Sequence, residues 1–159
     1  AHPNDENRVL THLYTQVQKG VDVEYETLRA IVAQTGIGPE TPEVEAKRSL
    51  KPYGEEIVLW AYRQMVEQSR QRGILPVFIL MPRIVGVSEP EASAWQMQLA
   101  QEAGFLIIDL QDVYAGQDID GILLETWDWH PNARGHQLIA ERLYQALKEM
   151  KDTIPLGLR

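Results

Sequence analysis

The chain predicts an α/β fold in which a parallel sheet is covered by helices on both faces. Three observations carry this. Two apolar runs, Ile74-Leu-Pro-Val-Phe-Ile-Leu-Met81 and Phe105-Leu-Ile-Ile-Asp-Leu110, have the length and composition of buried strands. Helical periodicity flanks and separates them, and glycines at 73 and 104 stand where helix gives way to strand.

Taken in order, Val9, Leu10, Leu13 and Val17 share one face of a helix over about 5–18 that ends near Gly20. Asp22 is placed to cap a second helix, which carries Tyr25, Leu28, Ile31 and Val32 and stops by Gly36. Residues 36–52 lose the pattern. Gly-Ile-Gly-Pro-Glu-Thr-Pro followed by a charged stretch reads as a long loop or a short irregular helix, and long loops often border sites. A helix over about 53–71 groups Ile57, Trp60, Ala61 and Met65, and the strand after it must keep Pro76 at its entrance, because proline cannot donate to a central ladder. Another helix covers about 90–103. The last, over about 132–150, repeats Ile139, Leu143, Ala146, Leu147 and Met150 at helical spacing, with Pro131 suited to its first turn. No internal repeat or linker divides the sequence, so residues 1–159 are expected to form one domain. Two strands would leave both outer edges unpaired and cannot support so many helices. Either strands are hidden or amino-terminal strands are missing, and the loop-like opening residues favour the second.

Composition narrows the function. With 44% hydrophobic residues, the chain can build a core. A formal charge of -8 argues against holding nucleic acid by its phosphates, and the small cluster Lys47, Arg48, Lys51 reads as a solvated face. Binding to an anionic membrane surface is disfavoured for the same reason. The absence of cysteine removes disulfides, thiolate chemistry and cysteine-based zinc sites, and leaves the compartment open. No run of about 18 apolar residues can span a bilayer, and the polar opening is unlike a secretory signal. Oligomeric state is not readable.

Chemistry concentrates in Glu125-Thr-Trp-Asp128-Trp-His130-Pro-Asn-Ala-Arg-Gly135-His136, where a loop is expected to enter the last helix. A neutral His130 imidazole just outside that helix can take a proton from a hydroxyl, and Asp128 can orient the ring and stabilise its protonated form. Plainer roles stay open: His130 satisfying backbone groups at a helix start, Asp128 favoured there by the dipole, Glu125 or a backbone carbonyl serving as the acceptor. Trp127 and Trp129 either wall an acyl pocket or simply pack. His136 is given no chemistry and His12 reads as a solvated helix residue. Glu125, Asp128, His130 and His136 match no familiar metal-binding spacing, so no metal is assigned.

The element order, with His-Pro-Asn-Asp at 2–5 and Asp128-Trp-His130-Pro-Asn-x-x-Gly-His near the end, resembles the SGNH hydrolases, also called GDSL esterases. The resemblance covers most of the chain, from the family's third sequence block onward. It implies a three-layer α/β/α sandwich of flavodoxin-like type, here lacking its amino-terminal strands. It further implies a serine acylhydrolase acting on small or carbohydrate-linked esters without metal or cofactor, in which Asn4 binds the oxyanion, His130 is the general base and Asp128 its orienting acid. The third block has His2 where the family has glycine, and Asp128 precedes His130 by two residues rather than three, with Trp127 in the expected acid position. Ser49, Ser69, Ser88 and Ser93 lie in no Gly-Asp-Ser setting, so the nucleophile is expected from outside this chain. The competing expectation is a non-catalytic module of the same fold that binds a ligand or a protein in its crevice.

Overall fold

Apolar residues at helical spacing dominate the first part of the chain, and helices follow from them. The computed structural model describes residues 3–81 and 90–154, with side chains described over 8–81 and 93–154. The residues group into two compact units, Ala1–Met65 and Val66–Arg159. The dividing point falls inside a helix, so no linker composition marks it.

The first unit is helical: α1 (Pro3–Gln18), α2 (Glu26–Thr35), α3 (Glu43–Leu50), a 3-10 turn at Lys51–Tyr53, and the start of α4 (Gly54–Gln71). The expected stripe on α1 is buried, and Leu10, Leu13 and Val17 join Ile31, Ala46, Leu50 and Ile57 in one apolar cluster. Each large side chain removed from water there contributes on the order of 1.5–3 kcal/mol. Asp22 does not cap α2. That helix begins four residues later, after an extended Tyr25 that offers no side-chain cap. The intervening segment is held instead by Arg29, whose guanidinium donates to the carbonyls of Val23 and Glu24 at 3.0 Å. Gly36 ends α2 as expected, with φ of 67° and its N–H donating to the Val32 carbonyl. The charged stretch expected to be loop or irregular helix contains the regular helix α3, stapled by a Glu43–Lys47 ion pair at 2.5 Å. Ala46 and Leu50, four residues apart, are its whole buried face. Met65, expected beside Ile57, is 55% exposed.

The second unit is mixed α/β. The strands β1 (Val77–Leu80) and β2 (Leu106–Asp109) pair in parallel, Val77 against Leu106 and Leu80 against Asp109. Pro76 sits just before β1, and its carbonyl accepts the Leu106 N–H at 3.0 Å, a role that needs no proline donor. α5 (Pro90–Ala103) packs on both strands and buries Leu99, Ala100 and Ala103. The stripe predicted on the last helix, α6 (Ala133–Glu149), is real: Ile139, Leu143, Ala146 and Leu147, with Met150 just beyond, pack around Ile108 and Leu110. A hidden pair of strands, β3 (Leu123–Glu125) and β4 (Asp128–Pro131), forms a separate antiparallel sheet rather than widening the parallel one. Among the described residues, no helix is long and apolar enough to cross a membrane.

Candidate active site

His130 does not lie in a loop at the mouth of a helix. It is the third residue of β4, and Pro131, expected inside the first helical turn, is the last. This changes the meaning of the two-residue spacing from Asp128. Side chains two apart on a strand leave the same face, so Asp-x-His on β4 brings the carboxylate alongside the ring without help from a loop. Asp128 Oδ1 lies 2.5 Å from His130 Nδ1 and also accepts the His130 backbone N–H at 3.1 Å.

The two bonds differ in what they do. The backbone bond is an Asx-turn closure that fixes the carboxylate locally. The ring bond makes Nδ1 the protonated nitrogen, assigned from the network, and leaves Nε2 with its lone pair. Nε2 has no hydrogen-bond partner among the described residues, and the His130 side chain is 84% exposed against 22% for Asp128. The hydrogen bond from the His130 ring, followed by that from its backbone N–H, holds the Asp128 carboxyl below its ordinary value of 3.8. A carboxylate that stays ionised beside an imidazole is what stabilises the imidazolium formed on proton uptake. The orienting acceptor is Asp128. Glu125 stands across the hairpin as its strand partner.

What holds β4 in place was not found from the sequence. Asn132 is the N-cap of α6 and uses every polar atom of its side chain. Its amide donates to the carbonyls of Gly121 at 3.1 Å and Leu123 at 2.9 Å, while its oxygen accepts the N–H groups of Arg134 and Gly135. One residue therefore ties the start of the hairpin to the start of the helix, directly beside His130-Pro131. Gly135 completes the joint. A Cβ there would stand 2.7 Å from Pro131 Cβ and 3.0 Å from the Ile122 carbonyl oxygen, so the close approach requires glycine. The signal was available as Pro-Asn-x-x-Gly: an N-cap asparagine followed three residues later by the one residue without a side chain.

The remaining polar candidates lie on other elements of the chain. Asn4 is in the first unit, within the backbone of α1, and its side chain lies outside the described residues, as does Ser88. Ser49 is on α3, Ser69 on α4 and Ser93 on α5. His136 is exposed, and its backbone N–H donates to the Asn132 carbonyl. No three histidine or acidic side chains among the described residues converge to hold a metal. Trp127 and Trp129 are 79% and 61% exposed, so neither packs into the core nor walls an enclosed pocket. Among the described residues, an apolar pocket in the first unit, walled by Leu13 and Trp60, and another in the second, walled by Met97 and Phe105, are not lined by Asp128 or His130. No protein-family model, curated protein or solved structure matches the chain.

Proposed function

We propose that this chain is most of a three-layer α/β/α domain of SGNH type and carries the general-base pair of a serine acylhydrolase. The observation that carries the reading is the Asp128–His130 contact at 2.5 Å through Nδ1, with Nε2 open to solvent. A serine from outside these residues would present its hydroxyl to Nε2. As Oγ attacks the acyl carbonyl, Nε2 accepts the proton, and the Asp128 carboxylate steadies the imidazolium while Nδ1 keeps its own. The same proton passes to the departing alkoxide. Water then enters by the same base, releasing the acid and restoring the serine. In this scheme the Asn4 amide donates to the oxyanion, and no metal or organic cofactor takes part. The substrate class is a small or carbohydrate-linked ester.

The test uses a polypeptide that carries this chain together with a strand followed by Gly-Asp-Ser. A fluorophosphonate attaches to that serine, and His130→Ala abolishes the labelling and the turnover of a short aryl ester. Normal turnover by His130→Ala removes His130 from the mechanism. If no such block is encoded with the chain, the binding-module reading replaces the hydrolase.

A further inference from the structure

The first unit contains a cavity that the acyl-transfer reading does not use. It measures about 380 Å³ and lies between α1, α2 and α4, with walls that include Val9, Leu13, Leu28, Ile57 and Trp60. That is within the usual span of small-molecule sites, roughly 300–1,000 Å³. Tyr25 and Trp60 meet edge to face at 4.8 Å and give it a rigid aromatic side. Besides the Tyr25 hydroxyl and the Trp60 indole N–H, its polar side chains are Arg8, His12 and Gln16 of α1, one helical turn apart, with the Gln16 amide donating to His12 Nε2 at 3.2 Å.

The charge of this rim is unlike that of the rest of the chain. Acidic residues exceed basic ones overall, 23 to 15, yet among the described residues the lining contains no carboxylate and its one permanently charged group is the Arg8 guanidinium. Arg8 is exposed and has no ion-pair partner among the described residues. An apolar hollow with a single cation at its edge complements a molecule with an apolar body and one negative head. We propose that this cavity is a binding site for a monoanionic amphiphile, of which a medium-chain carboxylate is the simplest chemistry. The chain packs against Leu13, Leu28, Ile57 and Trp60, and the head pairs with Arg8 at the water boundary. The volume suits a chain of this class, being on the order of a dozen water volumes at about 30 Å³ each.

The test is calorimetric titration with decanoate, decanol and decyltrimethylammonium, all below their aggregation limits, into the intact chain. Decanoate binds one to one and about fivefold more tightly than decanol, the scale of a solvent-exposed ion pair, and the ammonium binds most weakly. Arg8→Gln brings decanoate to the affinity of decanol, and Arg8→Lys restores much of the difference. Ala61→Phe and, independently, Leu28→Phe fill the cavity and remove binding of both while the far-ultraviolet circular dichroism stays unchanged. Equal affinity for the three probes overturns the proposal, as does decanoate binding that survives both filling variants. Sedimentation that shows a dimer dissolved by Ala61→Phe overturns it too, because the occupant is then a second copy of the chain.

Discussion

The two units of this protein are held by different means, and the difference explains which parts of the sequence could be read. In Ala1–Met65 the large side chains removed completely from water are Leu10, Ile31, Leu50 and Ile57, one from each of four helices, so the unit rests on apolar contact. In Val66–Arg159 the parallel strands and α6 share an apolar core, but the hairpin that presents His130 is half out in solvent and hangs on polar ties from Asn132. The first unit rests on apolar packing spread over many residues, whereas the hairpin adds to its buried Ile122 and Leu123 the ties of one asparagine and the close approach at one glycine. His130 thus sits on a strand with no fully buried residue.

The largest effect separates chemistry from stability. In a form that turns over esters, His130→Ala lowers kcat/KM by about 10²–10⁴-fold, the usual worth of a positioned acid-base group, while moving the unfolding midpoint far less than a core truncation does because the side chain is exposed. Leu50→Ala does the reverse. It empties a fully buried position on α3 and costs about 2–5 kcal/mol in denaturant unfolding, with no loss of a chemical group. Gly135→Ala falls between them, at about 1–3 kcal/mol for overpacking against Pro131 and the Ile122 carbonyl, and its amide spectrum shifts along β4 as the hairpin yields. A Gly135→Ala cost well above that of Leu50→Ala would reverse the contrast drawn between the units.

The smallest effect is electrostatic. Because the folded Asp128 carboxyl lies below 3.8, its contribution is fully present above that pH and is lost as the pH falls through the lower folded value. Carbon-13 titration of the Asp128 carboxyl shows a midpoint below 3.8, and His130→Ala returns it toward 3.8. A midpoint indifferent to that substitution removes the hydrogen bond as its cause.

Legibility followed the same division. The α6 stripe from Ile139 to Met150 and the two apolar strands were readable because burial imposes a period on sequence, and the structure keeps their positions to within a few residues. α3 was obscured because only Ala46 and Leu50 face inward, too few to set a period among Glu43-Val-Glu-Ala-Lys-Arg-Ser-Leu50. The hairpin was obscured because Thr126-Trp127 lacks the Asn-Gly or Gly-rich chemistry that marks a two-residue turn, and its exposed Leu124 and Trp129 blur the alternation. Asp22 misled because a good capping residue does not start a helix when Arg29 ties the next carbonyls into an extended segment. The Asp128–His130 pairing itself was legible from residue type and spacing. Its basis in strand geometry was not.

Nitrogen-15 chemical shifts of the His130 ring test the central claim most directly. In the neutral ring, Nδ1 should carry the proton and Nε2 the pyridine-type shift, and Asp128→Ala should move the population toward the Nε2–H form. A neutral ring already protonated on Nε2 in the native protein, or one whose tautomer ignores Asp128→Ala, contradicts a base poised to receive a hydroxyl proton.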